Sequence, residues 1–365
     1  MPGWSLRSWM PLLILGPVLV VACAEEAPRR KPQPLAPGGA GGSEPTQVPP
    51  PIVHAPAEPI DVEILGPQVG APSDVWDVGV DAGGGVWIAA TDGLFVRRPG
   101  GHFFDPVEGL PDARVDAVGG LASGVAAVSF HGAPPRIVRV AEDGTTSVEP
   151  LDVYPVVARF RTVDTASGRF AVLATGLGIA VIDGDGRVRG TRVLPPPAAD
   201  LWDVALTAAG DVWAGDANRL LRLAGPVTQT LAGQVMATLD LIPDAADDVV
   251  AIEVCPDDSV RVSALGHGVF ELGPTGRQRA HLIAAEVLPQ DHVPSLACTP
   301  DGTVWFGTSW GGLARRDPDG SFHYHTAAAG LPGDSIRRLL VVEEPAGGWS
   351  LWIGTERGVA ILRGG

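Results

Sequence analysis

The sequence predicts an all-β fold, a β-propeller of seven four-stranded blades, and three observations carry that prediction. A phrase built on an aromatic strand start returns along the chain, first as Gly85-Val86-Trp87-Ile88-Ala89-Ala90-Thr91-Asp92-Gly93-Leu94 and last as Leu351-Trp352-Ile353-Gly354-Thr355-Glu356-Arg357-Gly358-Val359. Its copies lie about 40 to 49 residues apart, the length of one four-stranded blade. Gly (48) and Pro (35) are abundant while charged residues make up only 19% of the chain, a composition of many turns and few long helices.

The remaining copies fill the intervals. Asp211-Val212-Trp213-Ala214-Gly215-Asp216 and Thr303-Val304-Trp305-Phe306-Gly307-Thr308 keep the tryptophan. Val172-Leu173-Ala174-Thr175-Gly176-Leu177-Gly178-Ile179 and Val262-Ser263-Ala264-Leu265-Gly266-His267-Gly268-Val269 replace it with an aliphatic residue, and Ala127-Val128-Ser129-Phe130-His131-Gly132 is degenerate. The anchors fall near 87, 127, 172, 213, 262, 305 and 352. A four-stranded sheet buries neither face alone, so such units must stack around an axis. The tryptophan is expected between neighbouring blades. The glycine two residues later permits close approach without a Cβ, and Asp-Gly or Gly-Gly turns join the strands. The last copy runs out after Ile361-Leu362-Arg363, one strand short. Residues 60–65 (Ile-Asp-Val-Glu-Ile-Leu) are expected to supply that outer strand and close the ring, which removes an exposed sheet edge.

The N-terminus reads as an address. Arg7 is followed by an apolar run over 10–21, too short for comfort as a permanent span, which needs roughly 20 residues. The run ends Val20-Val21-Ala22-Cys23. This resembles the lipobox of bacterial lipoproteins: aliphatic residues, a small residue before the cut, then the modified cysteine. The resemblance implies a signal peptide over 1–22 and a diacylglycerol on Cys23, whose chains bury methylenes at about 0.8 kcal/mol each. Ala24 after the cysteine implies the outer membrane if the host has two. Residues 23–59 hold Pro, Gly and Ala with few large apolar side chains, and read as a disordered tether between membrane and propeller (60–365).

A second phrase links blades: Glu108-Gly109-Leu110-Pro111-Asp112, matched by Ala329-Gly330-Leu331-Pro332-Gly333-Asp334. With Trp352-Ile353-Gly354-Thr355 and Gly358-Val359 it resembles the two-component-regulator propeller repeats, which commonly form the extracytoplasmic sensor part of hybrid histidine kinases. Kinase machinery is not read in this sequence, so the resemblance implies the fold and a general binding role.

Composition and motifs narrow the chemistry. The formal net charge is −16 with no visible basic face, which argues against nucleic acid, whose phosphates need Lys and Arg. No His-Glu-x-x-His, Gly-x-Ser-x-Gly or phosphate-loop phrase occurs. Asp81-Ala82-Gly83 and Pro300-Asp301-Gly302 read as turns, too short to give calcium six oxygens. His323 and His325 read as part of a half-exposed outer strand. No catalytic residue, metal or cofactor is expected. Cys255 and Cys298 fall at equivalent positions of consecutive blades. Two buried free thiols are expected there, since such positions can lie beyond the roughly 7 Å Cα limit, with a disulfide as the alternative.

Binding in propellers uses loops at one end of the ring. The turns after the second strands offer Asp92, Asp216, His267, Trp310 and Arg357, and the links between blades offer Tyr154, Trp202 and His292. The expectation is a monomeric cell-envelope lipoprotein whose propeller binds an envelope protein or glycan without chemistry. A metal-dependent propeller lyase or lactonase, and a sensor lobe for a separate kinase, are the alternatives.

Overall fold

The computed structural model describes residues 51–154, 157–194, 201–216, 219–225, 235–240 (backbone alone), 249–344 and 347–365. The signal, Cys23 and most of the predicted tether lie outside the described residues. Seven four-stranded antiparallel sheets follow one another along the chain. Blade 1 holds Val75–Val80, Val86–Ala90, Gly93–Arg97 and Asp105–Pro106; blade 2 holds Val115–Gly120, Val125–Phe130, Ala133–Val140 and Thr146–Pro150. Blade 3 holds Val157–Thr165, Gly168–Thr175, Gly178–Asp183 and Val188–Val193; blade 4 holds Asp203–Leu206, Val212–Asp216, Arg219–Leu223 and Val235–Asp240. Blade 5 holds Val249–Val254, Val260–Ala264, Val269–Leu272 and Gln278–Leu282; blade 6 holds Ser295–Cys298, Val304–Gly307, Leu313–Arg316 and Phe322–His325. Blade 7 holds Ile336–Glu343, Trp349–Thr355 and Gly358–Gly364, and its fourth strand is Glu63–Leu65. Each first strand lies against the first strands of both neighbouring blades, the seventh against the first, so the ring is closed. The fold is a seven-bladed β-propeller.

Every sequence anchor falls on the second strand of its blade. The apolar side chains sort into seven buried clusters, one per seam between blades. Trp87 packs into the seam with blade 2, Trp213 into that with blade 5, Trp305 into that with blade 7 and Trp352 into that with blade 1; all four are at most 4% exposed. The glycine after the tryptophan sits against the first residue of the next blade. A Cβ on Gly215 would stand 2.3 Å from Val249 Cγ1, one on Gly307 2.6 Å from Ile336 Cγ2, and one on Gly354 2.9 Å from Val75 Cγ1. Real Cβ contacts are not that short, so these blades meet at a distance only glycine allows.

The closing strand is shorter than the sequence suggests. Glu63, Ile64 and Leu65 pair with Ile361, Ala360 and Val359, while Ile60 turns its amide to Ala329 O at 3.1 Å instead. Residues 51–59, read as tether from sequence, are laid along blade 6. Ile52 donates its amide to Pro289 O (2.8 Å) and Glu58 donates its amide to Tyr324 O (2.7 Å). His54 Nε2 lies 2.9 Å from Leu288 O with its ring stacked on Tyr324, and His325 Nδ1 lies 2.9 Å from Glu58 O. The Glu58 carboxylate sits 3.0 Å from His323 Nδ1. Nine residues with two large apolar side chains are therefore held by hydrogen bonds and a ring stack rather than by a core, a signal that hydropathy does not carry.

Cys255 and Cys298 form a disulfide, which corrects the expectation of free thiols. Cys255 lies in the turn just past its strand, and Cys298 is the last residue of its own. The two ends converge to a Cα separation of 5.2 Å, inside the bonding limit. The bridge fastens blade 5 to blade 6.

Candidate functional site

The hub of the ring is filled by charge. Arg338 Nε lies 2.9 Å from Asp77 Oδ1, off the line of its N–H, and Arg159 lies 3.5 Å from the same oxygen. Arg161 lies 2.9 Å from Asp203 and 3.3 Å from Glu253. All six stand on first strands. Asp77 also accepts the amide of Val118 (3.1 Å), Asp203 that of Ile252 (3.0 Å), and Ser295 Oγ that of Leu339 (2.8 Å). In each case a polar side chain on one blade satisfies a backbone N–H on the next, beside a bulge or at an equivalent position. Burial alone would raise Asp203, but Arg161 and Arg159 outweigh it and hold the carboxyl below its ordinary range. Burial pushes Glu253 up in spite of Arg161. Burial likewise pulls Arg338 down to about 10. These groups brace the ring from inside and leave ligand contact to its ends.

Strand direction alternates within a blade, so every second-to-third turn and every blade-to-blade link opens on one face. That face carries all eight residues singled out from sequence, but in different states. Asp92 is exposed and lines a shallow hollow of about 470 Å³ with Asp112 and Arg114. Arg357 is exposed, 3.8 Å from Glu356. Tyr154 and Trp202 are half-buried on separate links, the Trp202 indole N–H buried without a hydrogen-bond partner among the described residues. Asp216 is the exception: it is 1% exposed and holds Arg219 at 2.6 Å, an internal ion pair rather than part of an open surface.

The structure brings His292 and Trp310 together, with ring centroids 6.1 Å apart and planes tilted by 43°. His267 stands on the adjoining turn, its backbone oxygen 2.6 Å from His281 Nε2. Burial lowers the His292 pKa against the opposing pull of Asp291, so the ring is neutral at pH 7. The turns here depart from the repeat. In blades 1, 2, 3 and 7 two residues join the second and third strands (91–92, 131–132, 176–177, 356–357), whereas blade 5 uses 265–268 and blade 6 uses 308–312.

A second cluster on this face was not read from sequence. Trp76, at the bulge of blade 1's first strand, lies between two guanidinium groups, Arg114 at 3.9 Å and Arg337 at 4.0 Å from its ring centre. Arg337 pairs with Asp74 (2.6 Å) and Arg114 with Asp116 (2.6 Å), while Arg114 also reaches His131 Nδ1 at 3.0 Å. Trp76 donates its indole N–H to Thr91 (2.9 Å), which donates in turn to Asp74. Both faces of the indole are covered, so the cluster staples blades 7, 1 and 2. Its signal is a polar residue after the first β-branched residue of the inner strands (Val75-Trp76, Val115-Asp116, Ile336-Arg337), where bulges throw the side chain outward.

No family model matches the chain, and no curated protein does. Solved structures match in fold. The extracellular domain of BT4673 from B. thetaiotaomicron, named as a one-component or hybrid two-component system, superposes with a TM-score of 0.61 at 17% identity over 84% of this chain. The present chain spans 40% of that chain's length. Virginiamycin B lyase from Staphylococcus aureus superposes with a TM-score of 0.62 at 16% identity, over 82% of this chain and 98% of the lyase. YCF48 bound to D1 peptide gives 0.59 at 15% identity, over 84% and 99%. Identities this low establish the shared propeller and nothing about ligands.

Proposed function

We propose that this protein is a cell-envelope lipoprotein, held by a lipid on Cys23, whose propeller is a non-catalytic platform binding an envelope component through the face of turns and links. The observation that carries the reading is the departure from two-residue turns at blades 5 and 6. Loops on a rigid scaffold are where binding residues concentrate, and here the lengthened turns display Trp310 at 45% exposure. The likeness to domains named as extracellular supports the location, and a propeller of the same fold with a peptide bound supports the role.

Two measurements test it. Cys23→Ser should move the protein from the membrane fraction to the soluble fraction; retention in the membrane refutes the anchor. Immobilised protein should enrich a component of envelope extract, and replacing 308–312 with a two-residue Asp-Gly turn should abolish that enrichment at unchanged thermal stability. Enrichment that survives the shortened turn refutes this face as the platform. The sensor reading draws on the likeness to BT4673 and adds one requirement, a change in output of a separate kinase when the face is occupied.

A further inference from the structure

The turn 308–312 is built to hold one side chain outward. Its amides are all engaged within the fold: Thr308 to Gly312 O (3.1 Å), Ser309 to His292 O (3.1 Å), Trp310 to Gln290 Oε1 (3.1 Å), Gly311 to Thr308 Oγ1 (2.9 Å) and Gly312 to Asp334 O (2.9 Å). A peptide strand adding itself here would find no free backbone donor, and an anion would find no nest of N–H groups. What the turn offers is the indole of Trp310, 45% exposed. Neither the indole N–H nor either ring nitrogen of His292 has a hydrogen-bond partner among the described residues.

The two rings form a corner, one wall aromatic and the other an imidazole edge. Gly266 (φ +72°) leaves the neighbouring turn without a side chain; a Cβ there would meet nothing nearer than His292 Nε2 at 3.8 Å. A neutral imidazole has one N–H donor and one acceptor, the complement of a hydroxyl group, which both accepts and donates. An indole face takes a flat C–H surface by dispersion. A group with hydroxyls around its rim and C–H bonds on its face is a sugar ring.

We propose that the corner between Trp310 and His292 binds one ring of a neutral saccharide, its C–H face on the indole and a hydroxyl on the imidazole. This rests on the platform reading and names its ligand class. The charge beside the corner is the Asp291 carboxylate, which accepts the Ala284 amide (2.6 Å) and would repel uronates and sulfated sugars. One exposed indole beside an imidazole is not the aromatic cage that a quaternary ammonium requires.

The test is titration of the full chain with neutral tetrasaccharides of glucose, mannose, galactose or N-acetylglucosamine at millimolar concentration, read by tryptophan fluorescence and calorimetry. A uronate tetrasaccharide and choline serve as comparison ligands. At least one neutral sugar should bind saturably. Trp310→Ala should weaken it by about tenfold or more. His292→Gln, which keeps a donor and an acceptor, should stay within about threefold, and His292→Phe should not. Phe103→Ala, an exposed aromatic on the opposite face, should change nothing. The inference is overturned if no neutral sugar binds, if Trp310→Ala binds as tightly as the parent, or if choline or the uronate displaces the sugar with equal affinity. Loss of sugar binding as an explanation, with envelope capture still dependent on 308–312, sinks the saccharide and spares the platform; loss of both sinks both.

Discussion

Replacing Asp77 with asparagine changes one atom type at the centre of the ring and should cost about 3 kcal/mol or more. Asp77 is 0% exposed and stands between Arg338 (2.9 Å) and Arg159 (3.5 Å). Removing one member of a buried pair costs about 3–5 kcal/mol, because the remaining charge is left in a poor solvent. Arg338 is that charge: its side chain is 5% exposed and burial already pulls it down to about 10 with Asp77 in place. Asparagine keeps one oxygen for the Val118 amide but puts an NH2 where the other oxygen accepts the Val78 amide (2.9 Å), so an acceptor goes with the charge and about 3 kcal/mol is the floor of the range. Arg159 retains Asp203 at 3.9 Å, which limits the damage to one arginine. Urea unfolding followed by tryptophan fluorescence measures the difference through the midpoint at constant slope. Asp77→Asn/Arg338→Met should recover all but about 1 kcal/mol, since an apolar pair in the same space is often as stable as the ion pair. The reasoning is refuted if Asp77→Asn lies within about 1 kcal/mol of the parent, or if the double variant is less stable than the single.

Two further outcomes follow from the seam between blades 5 and 6. Reducing the Cys255–Cys298 bridge, which spans a sequence separation of 43, should lower stability by about 2–4 kcal/mol on loop entropy; peptide mass after alkylation should show Cys255 and Cys298 blocked before reduction and free after it, and a label on either of these two before reduction contradicts the bridge. His325 is 2% exposed, and burial lowers its pKa against the pull of the Glu58 carbonyl and carboxylate, with Arg315 and His323 adding to the lowering. The unfolded chain takes up a proton near pH 6.5 while the folded chain resists, so this contribution is complete above about 6.5 and is lost as pH falls toward the lowered folded value. Thermal melts from about pH 7.5 to about pH 5.5 should therefore show a steeper loss in the parent than in His325→Gln; parallel slopes would remove His325 as the cause.

The fold was legible because each blade repeats the same packing problem. A tryptophan at the seam, a glycine two residues on and a polar Gly turn recur about every 40 to 49 residues, and the spacing survives where the tryptophan is lost, as near Val172 and Val262. The closing strand was legible as an orphan β-run, though only Glu63, Ile64 and Leu65 of it pair. The contacts of residues 51–59 were not, because they are main-chain bonds to Pro289 and Tyr324 and single side-chain contacts of His54 and Glu58, none of which leaves a periodic mark in composition. The hub network was hidden for a different reason. Asp77, Arg159, Asp203 and Arg338 come from four different blades, and a single sequence does not show which charges a ring will bring together. For the candidate face, position in the repeat puts all eight residues on turns and links that open on one side. It could not separate Asp216, folded in against Arg219, from Trp310, held out by five bonded amides.

The seam between blades 5 and 6 is fastened more heavily than ring closure demands. Closure is achieved elsewhere, by Glu63–Leu65 in blade 7, and a bridge between blades 5 and 6 adds nothing to it. Yet the bridge, the strap of residues 51–59 along the outer strand of blade 6, and the ion triad of Arg261, Glu271 and Arg316 all fasten this one seam. The two lengthened turns rise from the opposite end of these blades to the bridge and the triad, and of the three fasteners the strap, through Ile52 on Pro289, reaches their end. A lengthened turn raises the entropy to be lost on binding unless its base is fixed, and a fixed base lets a few side chains bind without reordering the loop. The repeat would supply a two-residue turn at no such cost, so the start of the strap makes sense as support for what the turns display, while the bridge and the triad hold the two blades together from the far end. By the same logic the cluster around Trp76, closed on both faces and rising from ordinary two-residue turns, is a staple. The difference between the two sites is not their residue types, since both hold a tryptophan beside basic or imidazole groups. It is that one indole has both faces occupied and the other stands open.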